Sequence, residues 1–388
     1  MARLLGSVAL RRPDALTVWD DPEVQKRLYW YRQVMTGGFT AKFMLCRKVP
    51  VGLGLAEATE DELWVKHDEL SGAVSSMVTD IANGSKEFWG LKDYRPNFLD
   101  LKAELVKRLL HHCNFCEWNC RVNRAEGKIG FCRLDQTTSV GSYFHHYGEE
   151  APLIGVEQQG GSGTIFFESC NSHCVFCQNW SISQPKTKAS VTGEVVTPIR
   201  VAAIADELAN EGAANINYVG GEPTVGLNTI INSLPHMKRS IPLIWNSNMY
   251  CSMETMRILA DVIDLWLPDF KFWRDECARR LMWVGAKASY PEVAKRNHRF
   301  AADHGSMIIR HLVMPGHVEC CTKPILRFIA ETIGGKVLVN VMGQYYPANM
   351  VTKNPEKYGD IARYPSRGEL AEASEYARGL GLQFQQVS

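Results

Sequence analysis

The chain is 388 residues long, 45% hydrophobic and 22% charged, with a formal net charge of +1. That length fits two domains, that charge offers no attraction to nucleic acid or an anionic membrane, and no apolar run is long enough to span a bilayer. Its twelve cysteines are clustered rather than spread, and the chain is too large for a small stapled domain. They are read as metal-bound thiolates in a reducing cytoplasm, not as a disulfide framework.

The first residues, Met1 to Arg12, are basic and apolar. Their apolar run is too short for a secretory signal, so they read as a plain N-terminus. Residues 1–110 form a helical region. Pro22 to Met35 follows the capping pair Asp20-Asp21, Thr59 to Glu62 is a capping box, and Asp100 to His112 carries leucines at helical spacing. Without convergent polar groups this region reads as a helical wrapper. Residues 111–150 hold Cys113, Cys116, Cys120 and Cys132, spaced x2, x3 and x11, with Gly127 and Gly130 turning the chain back. Four cysteines in twenty residues point to a metal: zinc in a closed structural clip, or a second 4Fe-4S cluster.

From Gly160 strand and helix signals alternate, which predicts βαβ units over residues 151–350. The predicted strands are Thr164 to Phe167, Ile216 to Val219, Ile241 to Trp245, Val262 to Leu267, Met307 to Val313 and Val337 to Val341. Helices are predicted from caps at Thr197, Ser252 and Thr322, and over Pro291 to His304. Residues 351–388 supply a last capped helix from Ser366 and an edge strand, Gly381 to Val387.

The first strand empties into a loop with Cys170, Cys174 and Cys177 at Cys-x3-Cys-x2-Cys spacing. Three thiolates from one tight loop can hold three irons of a 4Fe-4S cube and leave the fourth open. Zinc remains the bland alternative, and a zinc scaffold without catalysis is the rival class of function. The other strands also end in polar or glycine-rich residues, where barrels of this kind place their sites. These are Gly220-Gly221-Glu222, Asn246-Ser247-Asn248, Asp269 with Lys271, and Arg310. Each has a bland reading: a turn, an Asn/Ser turn cluster, a rim ion pair and a paired core arginine. Gln344 would line the mouth after the sixth strand. His311 and His317 read as satisfied surface groups. Adjacent Cys320 and Cys321 are expected to point apart, which argues against a shared metal and leaves buried thiols or a redox accessory.

Across residues 100–350 these motifs are similar to the radical SAM superfamily, in particular its pyruvate formate-lyase-activating-enzyme-like subgroup. The shared marks include the cysteine loop, Asn-Tyr-Val-Gly-Gly-Glu-Pro, Trp-Asn-Ser-Asn-Met-Tyr, Leu-Pro-Asp-Phe-Lys and Arg-His-Leu-Val-Met-Pro-Gly-His. The resemblance implies an α/β fold with a radical SAM partial (β/α)6 barrel. It implies that S-adenosylmethionine (SAM) binds the open iron and is split by one electron into a 5′-deoxyadenosyl radical. It gives catalytic roles to Cys170, Cys174, Cys177, Asp269 and Lys271. It gives cofactor contacts to Phe176 (adenine), Gly220, Gly221 and Glu222 (the amino group), Asn246, Ser247 and Asn248 (ribose), and Arg310 (a carboxylate). Reduced ferredoxin or flavodoxin is the implied electron donor. A partner protein receiving a glycyl radical is the implied substrate, with a peptide, lipid or small molecule as the runner-up. Activating enzymes are usually shorter and lack the four-cysteine module, and residues 1–100 match nothing in the subgroup; they are a candidate to shape the substrate site. SAM methyl transfer to nucleic acid would need a basic face, and near-neutral charge does not favour it.

Overall fold

The computed structural model describes residues 12–84, 90–155, 160–185 and 187–382. Eight strands form one sheet in the order β3-β1-β2-β4-β5-β6-β7-β8. They are β1 Thr138–His146, β2 Ser162–Phe167, β3 Glu194–Val196, β4 Ile216–Gly220, β5 Leu243–Ser247, β6 Leu265–Pro268, β7 Ser306–Leu312 and β8 Leu338–Met342. From β2 to β8 every neighbour pairs in parallel. Parallel pairing needs crossovers, and these are supplied by the helices Pro198–Asn210, Leu227–Ser233, Met253–Ala260, Tyr290–Asp303 and Lys323–Thr332. Residues of β5 and β6 are buried throughout, as expected for strands covered on both faces. The sheet curves: Gln178 after β2 donates to the Gln344 carbonyl after β8 at 3.4 Å, although four strands lie between them.

The predicted six parallel strands are present, and two antiparallel strands extend them. β1 pairs with β2, and β3 pairs with β1. Neither shows a clean period of two. β1 carries Gly141 where its register shifts between Val140 and Ser142, and β3 has three residues. Predicted Pro22 to Met35 is two helices, Pro22–Arg27 and Tyr29–Met35, separated at Leu28. The boxes at Thr59 and Ser366 cap their helices as read, and a further box, Asn97 with Asp100, starts the helix Phe98–His111. Thr322 caps nothing. A π-helical turn, Val318–Thr322, runs directly into Lys323–Thr332, and the Thr322 hydroxyl lies 2.8 Å from His311 Nε2 instead. The predicted edge strand Gly381 to Val387 lies almost wholly outside the described residues.

The N-terminal helices attach where the strands begin. Buried Lys102 reaches Asp261 Oδ2 at 2.7 Å and the Ile258 carbonyl at 2.9 Å. Asp264, just before β6, accepts from Trp30 Nε1 at 2.8 Å and from Lys42 N at 3.1 Å. Arg27 donates to the Val337 carbonyl at 2.6 Å, just before β8. These contacts tie the N-terminal helices to residues just before β6 and β8, at the amino ends of those strands. Among the described residues no helix is long and apolar enough to cross a membrane.

Candidate active site

Thr164, Ile165 and Phe167 of β2 are buried on the sheet, and the chain leaves it through Glu168 and Ser169 into the cysteine loop. Every sulfur there has a donor nearby. Cys170 Sγ lies 3.3 Å from Ser172 N and 3.7 Å from Asn248 Nδ2. Cys174 Sγ lies 3.2 Å from the Ser172 hydroxyl, and Cys177 Sγ lies 3.2 Å from the Ser183 hydroxyl. Burial pushes all three thiols up, Cys174 to about 11. Buried sulfurs of this kind become thiolates only beside a cationic partner, and donors already aimed at them stabilise that state.

The strand ends converge on the same loop. A cavity of about 310 Å³ is lined by Cys170, Cys174, Cys177, Phe176, Gly220, Gly221, Glu222, Asn246, Ser247, Asn248, Asp269, Lys271 and Arg310. These residues at the ends of β2, β4, β5, β6 and β7 thus share one space, whereas His311, His317, Cys320 and Cys321 do not line it.

Gly220 and Gly221 serve close packing. A Cβ on Gly220 would lie 2.1 Å from the Phe167 carbonyl, and one on Gly221 would lie 2.0 Å from the Ser169 carbonyl. Gly221 N and Glu222 N donate to those same two carbonyls at 2.8 and 3.0 Å. The Glu222 carboxylate is turned inward. It accepts from the Thr224 hydroxyl at 2.6 Å, Thr224 N at 3.2 Å, the Ser247 hydroxyl at 2.7 Å and Asn248 N at 2.8 Å. Three of those donors meet Oε1 and one meets Oε2, so the side chain ties the β4 and β5 loops together. Burial raises its pKa despite them.

Asp269 bridges two cations: Lys271 Nζ at 2.7 Å and Arg310 Nε at 3.0 Å. Burial alone would raise the Asp269 carboxyl, but Arg310 and Lys271 outweigh it and hold the group below its usual range. Arg310 also donates to Asn246 Oδ1, and its Nη1 lies 3.9 Å from Glu149 Oε2. The arginine is held inside a mixed network, with Asp269 already meeting part of its charge.

His146 and Glu149 line the cavity too, and the sequence reading missed them. They come from the antiparallel extension, with His146 Nδ1 3.0 Å from Glu149 Oε1. The only signal was two histidines followed closely by two glutamates at a strand end. Glu150 accepts from Asn340 Nδ2 at 3.0 Å, while its Oε2 is buried without a partner.

The four-cysteine module packs directly behind the loop. Trp118 Nε1 donates to the Asn171 carbonyl at 2.7 Å, the Ser169 hydroxyl donates to the Cys132 carbonyl, and Cys116 pairs with Cys251 through a backbone bridge. Arg124, 1% exposed, lies among the sulfurs, with Nη1 3.8 Å from Cys113 Sγ. Burial would lower its pKa, but Cys132 and Cys113 in thiolate form raise it, so the guanidinium suits an anionic centre there. All twelve cysteines are free of disulfides.

One expectation is overturned outright. Cys320 and Cys321 do not point apart: the π-helical turn brings their sulfurs to 3.7 Å. With Cys277 and His317 they form, among the described residues, the one set of His, Cys, Asp and Glu ligand atoms all within 4.8 Å of one another. His317, read as a surface group, is buried. Alternation argued the cysteines apart because it assumed extended backbone, and a helical turn cancels that geometry.

The Radical SAM superfamily model matches residues 164–329. An uncharacterised protein of Methanocaldococcus jannaschii is 38% identical over 348 residues, covering 88% of this chain and 94% of that protein. SuiB of Streptococcus suis bound to S-adenosylmethionine overlaps with a TM-score of 0.39 at 17% identity, covering 54% of this chain and 44% of SuiB. TYW1 with a lysine-pyruvate adduct bound overlaps with a TM-score of 0.36 at 12% identity, covering 56% of this chain and 73% of TYW1.

Proposed function

Because residues 164–329 form a Radical SAM superfamily domain, we propose that Cys170, Cys174 and Cys177 hold a 4Fe-4S cluster at which SAM is cleaved reductively. Such a cluster, once reduced by an external donor, would supply the single electron that cleaves the sulfonium of bound SAM to methionine and a 5′-deoxyadenosyl radical able to take a hydrogen atom from a substrate. The observation that carries this reading is the sharing of one cavity by three donor-flanked sulfurs and the polar ends of β4, β5, β6 and β7.

The chain's own residues bind, orient and exclude water. Gly220 and Gly221 bring backbone against the cysteine loop, as the Cβ clearances above require. Asn246, Ser247 and Asn248 offer small polar groups to a ribose, and Phe176, packed edge-on against Phe272 at 6.0 Å, offers a ring to the adenine. Lys271 and Arg310 supply positive charge for a carboxylate, with Asp269 holding both in place. The barrel walls around the site also limit the access of water and stray hydrogen donors to a primary carbon radical.

The order of motifs favours the activating-enzyme-like branch, with a glycyl radical on a partner protein as the product and reduced ferredoxin or flavodoxin as the donor. A second reading, modification of a peptide, lipid or small molecule, draws support from the four-cysteine module. It touches the cluster loop at Asn171 and Ser169, where a second 4Fe-4S centre would serve as relay or substrate anchor; zinc there would be a structural clip. Cysteines free of disulfides suit a reducing cytoplasm.

The test is anaerobic purification with iron and sulfide analysis, then dithionite and SAM, with 5′-deoxyadenosine followed by chromatography. Cleavage that disappears in Cys174→Ala supports the proposal. A colourless protein holding only zinc, with no 5′-deoxyadenosine formed, refutes it. Deuterium transfer into 5′-deoxyadenosine from candidate substrates, and a glycyl-radical signal on a candidate partner, separate the two branches.

A further inference from the structure

The set Cys277, His317, Cys320 and Cys321 lies outside the cavity and has no part in the reading above. Cys277 belongs to the helix Asp275–Met282 after β6, and the other three belong to the turn after β7. Cys277 Sγ is 3.6 Å from His317 Nδ1, Cys320 Sγ is 3.4 Å from the same nitrogen, and the sulfurs of Cys320 and Cys321 are 3.7 Å apart. A tetrahedral zinc with bonds of about 2.3 Å to sulfur and about 2.0 Å to nitrogen has S···S edges of about 3.8 Å and S···N edges of about 3.5 Å. These three spacings match those edges. We propose that these four residues bind one zinc ion in a closed Cys3His site that clamps the helix Asp275–Met282 to the turn after β7.

Three further observations support the assignment. The other histidine nitrogen, Nε2, lies 3.3 Å from Asp360 Oδ2, and Arg280 holds that carboxylate through Nη1 at 3.0 Å. A carboxylate behind a ligating imidazole fixes its tautomer and orientation, the usual support for a zinc histidine. The donor set is three soft thiolates and an imidazole, which selects zinc over hard cations, and four protein ligands leave no open position for catalysis. The 4.8 Å envelope also suits a single ion better than a cube of four irons.

The site has a structural task in reach. Helix Asp275–Met282 ends by accepting His173 N on the Met282 carbonyl at 3.0 Å and Val175 N on the Leu281 carbonyl at 2.9 Å. Both donors belong to the cysteine loop. The Phe272 ring lies 5.9 Å from His317 and 6.0 Å from Phe176. An ion at this site steadies the backing of that loop, and it does so whether or not the loop carries iron.

Zinc and iron are measured on the full chain purified anaerobically, and zinc K-edge absorption reads the ligand set. The expected result is one zinc per chain at this site, retained through gel filtration, with three sulfurs and one nitrogen, and a second, all-sulfur zinc only where the Cys113–Cys132 module also holds zinc. Cys277→Ser combined with Cys320→Ser should remove the zinc, and Asp360→Asn should weaken its retention against a chelator about 10- to 100-fold. If the double variant does not fold, the absorption spectrum of the unaltered protein decides. Absence of zinc, a purely four-sulfur spectrum (zinc in the Cys113–Cys132 module alone), undiminished zinc in the double variant, or a disulfide among these cysteines in the intact protein overturns the proposal. Zinc content and 5′-deoxyadenosine formation are separate readouts, so each proposal fails independently of the other.

Discussion

The side-chain amide of Asn248 stands 3.7 Å from Cys170 Sγ while donating to Asn171 Oδ1 at 2.7 Å. Donors beside a cluster thiolate favour its reduced state and raise the potential. Asn248→Leu is therefore expected to move the cluster midpoint to a more negative value in an EPR-monitored redox titration. An unchanged midpoint with weakened SAM binding would assign Asn248 to the nucleotide alone.

Glu222 is the knot between the β4 and β5 loops. Glu222→Gln turns an amide N–H2 toward groups that donate, leaving at least one buried donor unmet. The expected loss is about 1–3 kcal/mol of stability, read as a lower midpoint in urea. A neutral result would mean that the carboxylate is not held by Thr224, Ser247 and Asn248 in solution.

Two glycines should behave oppositely. Gly221→Ala forces a Cβ to within 2.0 Å of the Ser169 carbonyl, so iron bound per chain should fall as the cysteine loop is displaced. Gly72, exposed in the middle of the helix Glu60–Ala82, has nothing within 4 Å of its added Cβ. Gly72→Ala should raise stability by about 0.5–1 kcal/mol through helix propensity, with iron content unchanged.

Lys102 and Asp261 form a buried pair at 2.7 Å. Lys102→Met removes one partner and strands the other charge, at a cost of about 3–5 kcal/mol. Adding Asp261→Asn should recover part of that loss in denaturant melts, because it removes the uncompensated carboxylate.

Burial pushes His298 and His311 down to about 4 from 6.5. Both are neutral in the fold, while the unfolded chain takes up protons below about 6.5. Their contribution is present above that value and is lost as pH falls from about 6.5 to about 4, about 3 kcal/mol for each histidine. Urea melts at pH 7, 5.5 and 4.5 should show this slope, and His298→Leu should flatten it.

Much of the molecule was legible locally. The cysteine loop follows a short strand, and Gly-Gly-Glu and Trp-Asn-Ser-Asn span the ends of theirs, so spacing alone locates them at strand ends. Caps such as Thr197 and Ser252 act within one turn, and they start the helices where they were read. The π-turn after β7 and the antiparallel edge were not legible, because each depends on what packs against it. β1 exists by pairing with β2, and its own residues carry no clear alternation.

Sequence by itself determined the chemistry that short range controls: three thiols in one tight loop, a parallel α/β fold, and polar residues at successive strand ends. Tertiary structure alone decided that Glu222 faces inward, that His146 and Glu149 enter the cavity, and that Cys277 meets His317, Cys320 and Cys321. A hydrogen-bond or metal-ligand geometry across forty residues depends on how the intervening strand and helices pack, and residue spacing does not encode that distance.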